Sequence, residues 1–142
     1  MATFSRHVDI HWTGNLLEGS GKATAGTGAF TLPVAFPKRI GEPCGETSPE
    51  ELIAGALGVC YTMVLSNMIA KKGGQTSGLN VGCEVTADKS DAGIKIVTAK
   101  LTPRAEGLSG MTAEEFTTTA KEAESKCPVA GALRGNVDIQ VS

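Results

Sequence analysis

Histidine is nearly absent from this sequence: His7 and His11 are the only two, and no Cys-x-x-Cys or Cys-x-x-x-Cys pair occurs. A closed zinc site takes four nitrogen or sulfur ligands, which here would have to be collected from across the chain, so no metal site is expected. His7 and His11 fall on one face of an expected strand and read as surface or partly packed side chains. Runs of like charge are also missing, and the formal net charge is −2. That balance leaves no electrostatic footprint for nucleic acid or an anionic membrane surface. The opening MATFSRHVDIHWTGN lacks the basic-then-apolar order of a signal peptide, and a cytoplasmic protein is expected. With no internal repeat and no linker-like stretch, the 142 residues are expected to form one domain, residues 1–142.

The cysteines are few and scattered. Cys44, Cys60, Cys83 and Cys127 sit in a chain with enough apolar residues to build a core without a disulfide framework, so they are expected to start as thiols.

The strongest local signal begins at Ser48. Ser48 as N-cap, Pro49 at the first helical position and Glu51 three residues after the serine form a capping box, followed by an apolar run to Ala70 that KKGG stops. The pattern predicts a helix of about two dozen residues, roughly 35 Å long at 1.5 Å per residue. The run approaches the ~20 residues that span a bilayer. Thr62, Ser66 and Asn67 interrupt it and no aromatic belt flanks it, so no membrane span is expected. Its first half, LIAGALGVCYTMVL, is apolar or small on every side and predicts burial all round. Ala54, Gly55, Ala56 and Gly58 predict that another backbone, such as a partner subunit's, packs closely against it.

Elsewhere the sequence predicts strands around a second helical region. Val8, Ile10 and Trp12 alternate with polar residues as in a half-buried strand. A turn is expected near Glu18 to Gly21, with short strands before Pro33 and Pro37. PKRIGEPCGETSPEE reads as loop. Val81, Cys83 and Val85 alternate, DKSDAG turns, and Ile94, Ile96 and Thr98 continue the return strand, so Cys83 is expected to face inward. Thr112 and Glu115 form a second capping box for a helix ending near Lys126, with Phe116, Ala120 and Ala123 facing the core. PVAGALRG then starts a short helix at Pro128, and NVDIQVS closes with a strand.

This places Cys127 at a helix N-cap, where free N–H groups and the helix dipole favour a thiolate. On the residues alone it could be a small core side chain, a metal ligand or a reactive thiol. Cys60 has no free intrahelical donor and by itself reads as core.

TSPEELIAGALGVCYTMVLSNMIAKKG resembles the central-helix signature of the OsmC/Ohr family. DAGIKI and AESKCPVAGAL resemble later motifs of its OsmC branch, in matching order. The resemblance runs over nearly the whole chain. It implies an α+β fold of antiparallel sheets wrapped around long central helices in an intertwined homodimer, and a thiol-dependent peroxidase that reduces organic hydroperoxides, and hydrogen peroxide less efficiently, to alcohols. By position it implies that Cys60 is the peroxidatic cysteine and Cys127 the resolving one. Glu50 matches the active-site glutamate, and Arg39, with Lys38 beside it, the active-site arginine. It further implies no bound cofactor and an external dithiol reductant of lipoyl type on a carrier protein. Cys44 lies in an inserted EPCG stretch to which the family gives no role.

On this reading Arg39 would favour a Cys60 thiolate and Glu50 would orient the guanidinium. Ten residues along one helix separate Glu50 from Cys60 by about 15 Å. If both serve one active site, the glutamate is expected from the other subunit. Two other readings compete: a non-enzymatic stress-induced binding module on the same scaffold, and a thiol redox sensor.

Overall fold

A computed structural model describes residues 2–142. The chain divides into two compact units, the first ending at Leu52 and the second running Ile53–Ser142.

The first unit is an antiparallel meander, order β1-β2-β3, of β1 (Val8–Thr13), β2 (Ser20–Ala25) and β3 (Thr31–Val34). The β1–β2 turn spans the residues between Thr13 and Ser20, earlier than the expected Glu18 to Gly21. Asn15 builds it: its carbonyl accepts the Gly19 N–H at 2.9 Å and its Oδ1 the Glu18 N–H at 2.8 Å, while Gly14 supplies a φ of 88°. Ser20 and Gly21 are thereby free to pair with Thr13 and Trp12. Pro33 lies inside β3 rather than after it; β3 is an edge strand, where a missing N–H costs no ladder bond. Its carbonyl accepts the Thr47 N–H at 2.9 Å, which closes the loop between them at its base.

Inside that loop is a helix that the sequence reading assigned to irregular structure: α1 (Phe36–Ile40), with Pro37 in its first turn. Its N-cap, Ala35, makes no side-chain capping bond, so the usual local signal is missing. β1 is exposed at every position, His11 included, and leaves Val8, Ile10 and Trp12 substantially open.

The long helix α2 (Pro49–Lys71, 23 residues) matches its predicted length. Ser48 Oγ accepts the Glu51 N–H at 3.1 Å, but the reciprocal half of the capping box is absent: the Glu51 carboxylate takes the Thr47 hydroxyl at 2.6 Å instead. The unit boundary falls within this helix.

The second unit contains the rest of α2, β4 (Gly78–Ser90), β5 (Gly93–Glu106), α3 (Ala113–Lys126), α4 (Pro128–Leu133) and β6 (Asp138–Val141). β4 and β5 form one long antiparallel hairpin. Its register shifts after Thr86, which pairs with Thr98 while Ala87 pairs with Ile96, leaving Val97 as the extra residue. This bulge moves the inward phase of β5 from Ile94 and Ile96 to Ala99, Leu101 and Pro103. Thr98 therefore does not continue the inward row, as the alternation had predicted. The sheet is also not purely antiparallel: β6 runs parallel to β5. The α3–α4 connection between them is the crossover that a parallel neighbour requires.

The core of this unit stacks Leu57, Tyr61, Leu65 and Ile69 of α2, one residue per turn, on Ala99 and Leu101 and on Ala120, Ala123, Cys127 and Ala130 of α3 and α4. Burying a leucine or isoleucine there contributes about 1.5–3 kcal/mol. Cys83 packs against this core from β4, where a Cβ added to Gly58 would come within 3.3 Å of it. That contact accounts for Gly58 in the small-residue stretch.

Burial all round, expected of α2, is not what the single chain provides. Only one stripe is buried, while Leu52, Gly55, Ala56, Val59 and Met63 are exposed and a Cβ on Gly55 would meet nothing within 4 Å. By length and composition α2 could cross a bilayer, yet its Leu57-to-Ile69 stripe is committed to the packed core just described.

Candidate active site

The residues singled out by sequence meet in two pairs. In the first unit, α1 turns the Arg39 side chain onto the first turn of α2. Arg39 Nε donates to Glu50 Oε1 at 3.1 Å and Oε2 at 3.2 Å, and Nη2 donates to Oε1 at 2.8 Å. The guanidinium thus grips both carboxylate oxygens, a planar match that a lysine ammonium cannot make. Of Lys38 and Arg39, it is Arg39 that reaches Glu50. The side chains are 30% and 13% exposed, so the pair is only partly screened. Burial works against ionised Glu50, but the Arg39 hydrogen bond, a backbone bond and the Arg39 charge outweigh it and hold the carboxyl below its usual range. Arg39 is pushed up, chiefly by the hydrogen bond to Glu50, against the cost of burial. Glu50 stabilises the fold above the ordinary carboxylate range, and that contribution is lost as pH falls through it.

In the second unit, Cys60 lies mid-way along α2, half-buried at the edge of the core, and Cys127 is 2% exposed. Cys127 both ends α3 and caps α4: its N–H donates to the Glu124 carbonyl and its Sγ accepts the Ala130 N–H at 3.5 Å. Pro128 is why this works, since it cannot donate the bond that would continue α3 but suits the first position of α4. Cys60 packs against the core cluster that contains Cys127, and it is among the groups that raise the pKa of Cys127. All four cysteines are free thiols, with Cys44 exposed in the loop after α1.

The N-cap expectation for Cys127 needs correction in sign. Burial raises its pKa, and Cys60 raises it further by hydrogen bonding and charge repulsion, while the Ala130 and Val129 N–H groups lower it; the net direction is upward. The N-cap is present, but a thiol nine-tenths buried loses more from desolvation than a short helix's N–H groups return. Among the described residues, no group of three or more His, Cys, Asp or Glu side chains is placed to hold a metal ion.

Two supporting features escaped sequence reasoning. The Tyr61 hydroxyl, fully buried, donates to the Ala120 carbonyl at 2.6 Å. Arg134 Nη2 donates to the Glu124 carbonyl at 3.1 Å and carboxylate at 2.6 Å, tying the end of α4 to α3. The only available signal for Tyr61 was a lone phenol in an apolar run beside a cysteine.

Three acids in or against the core have raised pKa values: burial pushes up the partly buried Cys83 and the buried Cys127, and burial followed by the charges of Cys127 and Glu124 pushes Tyr61 to about 12. Such groups keep their protons in the fold after the unfolded chain has lost them, so stability falls as pH rises through the unfolded values. Urea unfolding between pH 7 and 11 is expected to show a decline starting near the ordinary thiol value of about 8.5 and steepening above about 10, by roughly 1.4 kcal/mol per pH unit for each group in its window. A stability flat to pH 11 would contradict these burials.

Comparison with known proteins accords with the fold. The OsmC-like protein family model matches residues 42–142, a segment that includes Glu50, Cys60 and Cys127 and begins just after Arg39. Peroxiredoxin OsmC of Escherichia coli is 29% identical over 138 residues, covering 96% of this chain and 95% of that protein. An organic hydroperoxide resistance protein-like 2 of Staphylococcus epidermidis is 30% identical over 126 residues, covering 85% and 84%. In structure, an organic hydroperoxide resistance protein OsmC from Legionella pneumophila superposes with a TM-score of 0.78 at 24% identity, over 100% of this chain and 98% of that one. This chain belongs to the OsmC-like protein family.

Proposed function

We propose that this protein is a cysteine peroxidase that reduces organic hydroperoxides to alcohols, and hydrogen peroxide less efficiently. The names of its relatives support a peroxidase-type role in general. The observation that carries the specific reading is the Cys60–Cys127 pair: two free thiols from distant parts of the chain that pack on one core, with Cys60 among the groups that raise the pKa of Cys127.

In the proposed cycle the Cys60 thiolate attacks one peroxide oxygen. The O–O bond breaks, the alkoxide leaves and takes a proton to become the alcohol, and Cys60 becomes a sulfenic acid, oxidised by two electrons. Cys127 sulfur then attacks Cys60 sulfur, the S–O bond breaks and water leaves with the thiol proton, giving the disulfide. An external dithiol, of the lipoyl type and carried on a protein, restores both thiols and becomes a disulfide itself. No bound cofactor is needed. Arg39 serves as the cation that favours the thiolate, and Glu50 holds its guanidinium in place. Val59 and Met63, 58% and 68% exposed on the turns flanking Cys60, suit the alkyl part of an organic hydroperoxide. A cytoplasmic location, where a dithiol reductant pool exists, fits this cycle.

The working form is a homodimer with active sites at the subunit interface. Leu52, Val59 and Met63 leave an apolar stripe exposed beside the open Gly55 along α2, and a contiguous exposed apolar patch is the kind of surface that marks an interaction site. A second copy is the occupant that would supply the missing neighbour. Light scattering should give twice the chain mass for the wild type and the single-chain mass for Val59→Asp with Met63→Asp. A monomeric wild type, or a dimeric double variant, would remove this interface.

The test of function mixes reduced protein with an excess of cumene hydroperoxide or hydrogen peroxide and a dithiol. Many equivalents of peroxide should be consumed per chain, faster for the organic one. One equivalent consumed and no more would favour a redox sensor, and none would favour a non-enzymatic binding module.

A further inference from the structure

We infer that the Tyr61 hydroxyl is a positioning group for the thiol pair: its bond to the Ala120 carbonyl sets how Cys127 is presented to Cys60. The inference rests on the peroxidase reading given above, but its geometry is independent of substrate. Tyr61 follows Cys60 directly in α2, so anything that fixes its ring fixes the adjacent turn of that helix. The ring is completely buried, and its hydroxyl donates to Ala120 at 2.6 Å across 59 residues of sequence. Ala120, Ala123 and Cys127 are all buried and, at spacings of three and four residues, lie along one face of α3 and its end. The hydrogen bond therefore closes a short circuit: Cys60, Tyr61, Ala120, two turns of α3, and Cys127 back beside Cys60.

The choice of donor and acceptor suits a fixed strut. An interior helix carbonyl has a second lone pair free after its axial bond, so it can accept the phenol without loss to α3. Because burial and the neighbouring Cys127 and Glu124 charges push the Tyr61 phenol up to about 12, the hydroxyl stays a donor when the cysteines ionise. A phenylalanine would fill the same core volume without the bond. Among the described residues, the only other side-chain tie between α2 or its end and α3 is remote from the thiols: Lys72 Nζ donates to Thr119 Oγ1 at 3.1 Å and Glu122 Oε2 at 2.6 Å. Lys72 is twelve residues beyond Cys60, so its bonds hold α3 without defining the cysteine geometry.

The experiment compares wild type, Tyr61→Phe and Lys72→Met in two assays. The first equilibrates the protein with a reduced and oxidised dithiothreitol buffer and measures the fraction with a Cys60–Cys127 disulfide. The second adds peroxide without reductant and measures, by stopped flow and sulfenic-acid trapping, the rate of attack and the lifetime of the Cys60 sulfenic acid. In Tyr61→Phe the equilibrium constant for the disulfide should fall roughly 3- to 10-fold, the worth of one hydrogen bond, and the sulfenic acid should persist longer by a similar factor. The rate of attack should stay within about 2-fold, since that step does not involve Cys127. Lys72→Met should leave all three quantities near wild type even if it lowers thermal stability. If Tyr61→Phe matches wild type in the buffer assay, or if Lys72→Met shifts it equally, the positioning role is wrong. If wild type does not react with peroxide at all, the peroxidase reading fails while the buffer assay still decides whether Tyr61 positions the pair.

Discussion

Replacing Cys60 with serine is expected to lower peroxide turnover by at least ~10³-fold, the scale on which loss of a covalent nucleophile is felt. Serine keeps nearly the same shape at this half-buried position, so the fold should survive. Its hydroxyl, however, is not ionised at neutral pH and is a poor nucleophile toward a peroxide oxygen. The companion variant separates the steps. Cys127→Ser retains the attacking sulfur and should consume one equivalent of peroxide at close to the wild-type rate, then stop with Cys60 as a sulfenic acid that a trapping reagent can label. With a dithiol present it should recover part of its turnover, because an external thiol can attack the sulfenic acid directly. If both variants fail in the same way, the two sulfurs do not divide the roles as proposed; if neither fails, neither is part of the chemistry.

Arg39→Met carries the second large effect. An opposite charge within about 4–6 Å changes the population of a charged form by a factor of about 10 to 10³. Loss of the guanidinium should lower the rate of the first step with hydroperoxide by that range. Methionine preserves much of the stem's packing, so a large effect reports on charge. Glu50→Gln should cost less, because the amide oxygen still accepts from the guanidinium but no longer fixes it from two ionised oxygens, whose present contacts are 2.8–3.2 Å. Lys38→Met serves as the comparison: lacking a bond to Glu50, it should change the rate by less than about 2-fold. Stopped-flow measurement of the first turnover distinguishes these outcomes. An Arg39→Met rate equal to that of wild type would remove Arg39 from the mechanism and leave its pair with Glu50 a structural tie of the α1 loop.

What could be read in the sequence was what local chemistry encodes. The start of α2 at Ser48 and Pro49, the reciprocal capping box of Thr112 and Glu115, and the change from α3 to α4 at Cys127 and Pro128 are each written within four residues, and all appear at those positions. The α1 helix was not legible because Ala35 gives no capping signal and its main side-chain tie, Arg39 to Glu50, joins residues eleven apart. The Val97 bulge was hidden for a related reason: a strand's alternation predicts its own continuation, and only pairing with β4 shows where the phase changes. Composition made α2 apolar on all sides but could not say which side its own chain would cover. For the thiols, proximity in sequence pointed toward the α4 N-cap, whereas burial and the neighbouring Cys60, both products of the tertiary fold, dominate the ionisation of Cys127. The pairing of Cys60 with Cys127 came from resemblance to a family; in the fold both pack on one core, a proximity no local pattern encodes.

The central claim is that these two thiols, and not the other two, are joined by the reaction. The most direct measurement adds one equivalent of an organic hydroperoxide to the reduced protein without reductant, blocks the remaining thiols, and maps the peptides by mass spectrometry without reduction. The account predicts one equivalent of alcohol, loss of two thiols per chain, a Cys60–Cys127 disulfide, and blocked Cys44 and Cys83. Unchanged thiols, or a disulfide that joins Cys44 or Cys83 while Cys127 remains free, would contradict it.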